Sequence, residues 1–138
     1  MAGWFADEPS KELVNHPQVD YRGIMTQEHA LSIAATEADY ILCVYASNNE
    51  NNINASPNKI YDAIQTHTPV IANAEIKISA FVTENKIGVV INNYNSFNAK
   101  DLLAELRAKK NTFTFSDSLI DKYTWEKIES ILINAHSK

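Results

Sequence analysis

Asn58, Lys59 and Asp62 are the residues whose types and spacing suggest chemistry. They fall in a stretch from Ala55 to Ala72 that reads Ala-Ser-Pro-Asn-Lys-Ile-Tyr-Asp-Ala-Ile-Gln-Thr-His-Thr-Pro-Val-Ile-Ala. The pattern predicts a loop, a short helix and a buried strand. Ser56 is a natural N-cap, because its hydroxyl can accept from an unpaired backbone N–H of the first turn. Pro57 suits the first helical position, where its missing N–H costs nothing and its fixed φ is already helical. A helix that starts so sharply presents free N–H donors and the positive end of its dipole, a setting that favours phosphate. Lys59 adds a full charge at the end where a cation does not help the helix, which points to work other than stabilisation. Asp62 follows Asn58 by one turn, so its carboxylate lies near the same face. A diphosphate on the helix end, with a carboxylate for sugar hydroxyls, is the ligand this arrangement suits. The same residues also describe a plain, well-capped surface helix ahead of a core strand.

The elements that must hold these residues alternate between the two periods. Asp7 to Asn15 predicts a short helix with Pro9 in its first turn. Gln18 to Arg22 alternates apolar and polar and stops at Gly23, which predicts a strand and a turn. Thr26 caps a helix to about Ala38 with an apolar stripe of Ala30, Leu31, Ile33, Ala34 and Ala38. Tyr40 to Tyr45 is a continuous apolar run, the mark of a central parallel strand covered on both faces. Ala46 to Ala55 is a polar loop with five asparagines (Asn48, Asn49, Asn51, Asn52 and Asn54), either an active-site loop or lid or a mobile solvated loop.

Pro69 to Ala72 predicts a short buried strand, and Ile76 to Glu84 a helix packing Ile78, Phe81 and Val82. Asn85-Lys86 makes a turn into a strand from Ile87 to Ile91 with Gly88 inside it. An amphipathic helix from about Asn98 to Lys109 uses Leu102, Leu103 and Leu106. Phe113, Phe115, Leu119 and Ile120 stud the segment that follows. A last helix, Thr124 to about Ala135, aligns Trp125, Ile128, Ile131 and Leu132. Strands alternating with helices argue for an α/β fold, an open parallel sheet with flanking helices. Ligands of such sheets sit beyond the carboxyl ends of the strands. The loops after Arg22, Tyr45 and Ala72 then share one edge.

Composition narrows the partners. The 138 residues suffice for one domain, and 45% hydrophobic with 21% charged residues is an ordinary globular balance. A net charge of −5 and no basic run argue against nucleic acid. The single cysteine, Cys43, excludes an intrachain disulfide and reads as a small core residue in a reducing compartment. His16, His29, His67 and His136 lack metal-ligand spacing, so no metal site is expected. No apolar run approaches the roughly 18 residues of a membrane span, and no signal-peptide pattern opens the chain; cytoplasmic is the expectation.

Taken in order, three blocks resemble the C-terminal, donor-binding domain of GT-B glycosyltransferases, the retaining group often labelled glycosyl transferases group 1 or family four. The blocks are Ala38-Asp39-Tyr40-Ile41-Leu42, Ser56-Pro57-Asn58-Lys59-Ile60-Tyr61-Asp62-Ala63 and Pro69-Val70-Ile71-Ala72. The similarity extends from Val19-Asp20-Tyr21-Arg22-Gly23 to the Trp125-Glu126 helix. It implies a Rossmann-like sheet, truncated at its N-terminus, with Ala2-Gly3-Trp4-Phe5 the end of a second strand and the first strand missing. It implies a nucleotide-sugar donor and no other cofactor, with the diphosphate and sugar at Ser56, Pro57, Asn58, Lys59 and Asn54. By the same resemblance Asp62 takes the ribose hydroxyls, and Arg22, Gly23 and Ile24 border the base. Family members often carry two glutamates eight positions apart; Asn54 and Asp62 stand there. His67 stands where glycine is common. The N-terminal acceptor domain is missing, so the chain alone is expected to transfer no sugar. The full enzyme would transfer a hexose-type sugar to a saccharide or lipid-linked acceptor in cell-surface polysaccharide synthesis, with peripheral membrane association. The open sheet edge invites self-association. A non-catalytic α/β interaction module is the alternative. A response-regulator-like flavodoxin fold lacks its acidic cluster after an early strand.

Overall fold

The computed structural model describes residues 1, 8–123, 129–130 and 133–135. The chain forms two compact units, Met1–Ile33 and Ala34–Lys138. The strand expected at Ala2 to Phe5, the start of the first helix at Asp7, and Trp125, Ile128, Ile131 and Leu132 of the last helix lie outside the described residues.

The first unit holds helix α1 (Glu8–Val14) and most of α2 (Gln27–Glu37). Thr26 starts α2 as the sequence predicts, its hydroxyl accepting from His29 N–H at 3.3 Å and its carbonyl from Ala30 N–H at 3.0 Å. No residue of α2 is fully buried, so the expected apolar stripe is at most half covered, and Ala38 is exposed. The strand expected at Gln18 to Arg22 is not formed. That segment is irregular, and its ordered bonds run to the chain start, where Met1 N donates to the Asp20 carbonyl and Arg22 N–H to the Met1 carbonyl. The turn after it is real: Gly23 has φ +74, a conformation that suits glycine.

The second unit contains a three-stranded parallel sheet in the order β1 (Ile41–Cys43), β2 (Val70–Asn73), β3 (Gly88–Ile91). Ile41 pairs with Val70 and Val70 with Gly88, which sets the register across all three. Helices α3 (Glu50–Asn54) and α4 (Asn58–Thr66) connect β1 to β2, and α5 (Ile78–Glu84) connects β2 to β3; α6 (Ala99–Lys109) and α7 (Asp117–Tyr123) follow. This is the α/β open parallel sheet with flanking helices that alternating periods predict, and it is Rossmann-like, as the resemblance implies.

Cys43, Ile60, Ala63, Ile64, Val70, Ala72, Ile76, Val82, Ile87 and Leu119 form one core between the sheet and its helices. Each buried isoleucine contributes about 1.5–3 kcal/mol relative to exposure. Ile60, Ala63 and Ile64 are the buried positions of α4, the i, i+3, i+4 stripe of an amphipathic helix.

Two corrections concern coverage and the asparagine loop. Tyr40 to Tyr45 is not a central strand covered on both faces: among the described residues β1 lies at the edge of the sheet, and Leu42 is 63% exposed while Cys43 is buried. Its apolar run reflects one packed face and one open one. Likewise Leu103 of α6 is 47% exposed, leaving Leu102 and Leu106 as the half-buried contacts. The segment Ala46 to Ala55 is not simply a loop, because α3 forms inside it. Asn49 caps that helix, its Oδ1 accepting from Asn52 N–H at 2.8 Å. Asn52 Nδ2 donates to the Ala46 carbonyl at 2.8 Å. The asparagines satisfy their own backbone, as short amide side chains do in turns and caps.

Candidate functional site

In a parallel α/β unit the crossover helix runs back against the strands, so the N-terminus of α4 lies at the carboxyl edge of the sheet. The helix begins one residue later than the sequence suggests. Pro57, buried and extended at φ −68 and ψ 136, occupies the N-cap position, and α4 starts at Asn58. Ser56 does not cap it; its hydroxyl lies 2.9 Å from the hydroxyl of Tyr61. Pro57 supplies no side-chain cap to the first turn. Asn58 and Lys59 on this helix end are exposed, and the Ile60 N–H turns back to the Pro57 carbonyl at 3.0 Å.

Lys59 Nζ sits over the Tyr45 ring at 5.8 Å from its centroid, a cation–π contact at the end of β1. Burial pushes the Cys43 thiol up to about 11, and the Lys59 charge pulls it the other way. Asp62 is half-buried, three residues after Lys59, which places the two about 60° apart around the helix. Asn54 ends α3 with its amide folded back on the Glu50 carbonyl at 2.8 Å. Thus Ser56, Pro57, Asn58, Lys59 and Asp62 cluster on one helix start, with Asn54 on the helix before it.

Arg22, Gly23 and Ile24 belong to the first unit. There the Arg22 guanidinium pairs with Asp20 at 2.8 Å and holds that carboxyl below its usual range, while Ile24 is 79% exposed.

Sequence reading missed the residues that brace this edge. Asn73, fully buried at the end of β2, accepts from Tyr45 N–H at 3.0 Å and donates to the Tyr45 carbonyl at 3.0 Å. Its second Nδ2 hydrogen reaches Glu75 Oε2 at 2.9 Å. Glu75 Oε1 accepts from Tyr94 N–H at 2.8 Å, beyond β3. These bonds, the one from Tyr94 first, hold the Glu75 carboxyl below its usual range. The available signal was Asn73 itself, a polar residue continuing an apolar strand run. Ile53 also joins the edge, its carbonyl accepting from Lys77 N–H at 2.9 Å.

His67, where the resemblance expects glycine, is the C-cap of α4 with φ 55, and its ring stacks on Phe115 at 5.6 Å. The left-handed conformation explains why glycine suits the position. Two open clefts of about 480 and 290 Å³ lie along β3 and α6, and both are lined by Val90, Asn92 and Glu105. Neither is lined by Lys59 or Asp62; the candidate site is an exposed helix end, and its chemistry, not its concavity, singles it out.

Among the described residues no group of three or more His, Cys, Asp or Glu could hold a metal ion, and no helix is long and apolar enough to cross a membrane. Comparisons with protein-family models, with curated proteins and with solved structures find no match to this chain.

Proposed function

We propose that the chain is the nucleotide-sugar donor-binding domain of a glycosyltransferase. The observation that carries this reading is the N-terminus of α4, to which Pro57 gives no side-chain cap, with Lys59 exposed in its first turn at the carboxyl edge of a parallel sheet. Helix-terminal N–H groups and an ammonium suit a diphosphate. Asp62, on the adjoining side of the helix, takes ribose hydroxyls in this reading, and Asn54, Ser56, Pro57 and Asn58 surround the diphosphate and sugar. In the whole enzyme Lys59 and the helix N–H groups stabilise the leaving diphosphate, an electrostatic role. The acceptor side then belongs to a second domain, and hexosyl transfer to a saccharide or lipid-linked acceptor in cell-surface polysaccharide synthesis, on the cytoplasmic side of a membrane, is the proposed setting.

A second reading, a non-catalytic α/β module, is favoured by Asn54, which carries no charge and whose amide is engaged with Glu50. Calorimetric titration of uridine and guanosine diphosphates separates the two. Binding that weakens in both Lys59→Ala and Asp62→Ala supports the donor site. Binding unchanged in both overturns it, and absence of binding favours the module.

A further inference from the structure

We propose that Asn73 and Glu75 are positioning residues for Lys59, fixing the ammonium at the sheet edge through Tyr45. The proposal rests on the reading of Lys59 as the phosphate-facing group. Three carboxyl-end segments meet at this pair: Tyr45 follows β1, Asn73 ends β2, and Tyr94 follows β3. Asn73 acts on Tyr45 as a neighbouring strand would, pairing with both its N–H and its carbonyl at 3.0 Å. An amide has two hydrogens on nitrogen, and the one left over is taken by Glu75 at 2.9 Å. That third bond fixes the amide plane, because rotation would break it together with the pairing to Tyr45. Glu75 is itself held by the backbone of Tyr94 at 2.8 Å, so its carboxylate spans two chain segments. Beyond the last strand pair of β1, nothing in the parallel ladder reaches Tyr45: the paired residues end at Cys43 and Ala72. The Asn73 clamp therefore holds the Tyr45 backbone from which the ring projects, the ring itself packs against the core, and the Lys59 ammonium rests over it at 5.8 Å. A bond donated to a charged acceptor is the stronger kind, which suits Glu75 to the outer end of this relay.

The test reads Lys59 directly, without a ligand. A methylene beside an aromatic face is shifted upfield, so the Lys59 ε-methylene proton signal reports where the Tyr45 ring stands. In the wild-type chain that signal is expected upfield of free lysine, in Glu75→Ala it is expected to return toward the free position, and in Glu75→Gln to recover in part. Glu84→Ala, which removes an exposed carboxylate on α5, is expected to leave it in place. An unshifted wild-type signal, a Glu75→Ala signal identical to wild type, or an equal change in Glu84→Ala overturns the positioning role. Because Glu75 is at the surface end of the relay, its variants carry the result even where Asn73→Ala fails to fold. Pyrophosphate titration forms a separate arm, with affinity expected to fall about tenfold in Glu75→Ala. A wild-type chain that binds no pyrophosphate removes the ligand reading of the site, whereas an unmoved Lys59 signal removes the positioning role.

Discussion

Gly88 and Val70 stand closer than any side chain at residue 88 would allow. A Cβ added to Gly88 would lie 2.7 Å from Val70 Cγ2 and closer still to the Val70 carbonyl oxygen. The two are register partners in the β2–β3 pairing, so the crowding falls on the sheet itself. Gly88→Ala is expected to destabilise the second unit by about 2–3 kcal/mol, since a backbone atom cannot step aside as a flexible side chain can. Denaturant unfolding checks this, and a midpoint equal to wild type would contradict the close approach.

His67 combines a left-handed backbone with a useful ring. Alanine there keeps the strained φ and loses the stack on Phe115, whereas glycine loses the stack but relieves the backbone. His67→Gly is therefore expected to be more stable than His67→Ala by about 1 kcal/mol. Urea midpoints of the two variants decide it.

Glu75 gives the chain an acid-sensitive element. Its folded-state pKa is depressed below the ordinary 4.5, so the stability it contributes is present above that value and lost as pH falls through the folded pKa. Stability of the wild type should decline as pH drops below about 4.5 more steeply than that of Glu75→Gln. Paired unfolding curves across that window isolate the effect from Asp20, whose depressed carboxyl titrates in both proteins. Parallel curves for the two proteins would exclude the contribution.

Cys43 should be nearly inert in the folded chain. It is fully buried and its thiol is pushed up to about 11, so almost no thiolate exists at neutral pH. Labelling by an aromatic disulfide reagent is expected to be slow in buffer and prompt in denaturant. Lys59→Ala removes the charge that lowers this pKa and should leave the thiol no more reactive than before. Fast labelling of the native chain would show that β1 opens readily.

Leu42 places an uncharged, exposed side chain in the middle of the strand that, among the described residues, forms the sheet edge. Such edges pair with other chains unless a charge or distortion intervenes. The chain is expected to associate as concentration rises, and Leu42→Lys to sediment as a lighter species under the same conditions. Identical sedimentation of the two would remove this edge as a contact.

What was legible in the sequence followed local rules. Val70-Ile71-Ala72 and Val89-Val90-Ile91 announced strands by composition, and Thr26 and Asn98 announced helix starts; Asn98 Oδ1 accepts from Lys100 N–H at 2.9 Å. What was not legible depended on partners far along the chain. Ser56 looks like a cap until Tyr61 offers its hydroxyl a bond. Gln18 to Arg22 alternates like a strand but finds no sheet to join among the described residues. Asn73 reads as the residue after a strand, because only the fold brings Tyr45 and Glu75 to its amide. The candidate site divides the same way: Lys59 and Asp62 are visible as a local pattern, and the brace beneath Lys59 is tertiary.

The register that runs from Ile41 to Val70 and on to Gly88 also bears on how the chain acquires its shape. No strand can find its neighbour until the helical connection between them has closed, so every rung of the sheet carries a loop-closure cost before it returns any pairing. Folding kinetics of the second unit should accordingly be governed by those crossovers, and shortening the segment before α4 should change the folding rate more than the unfolding rate.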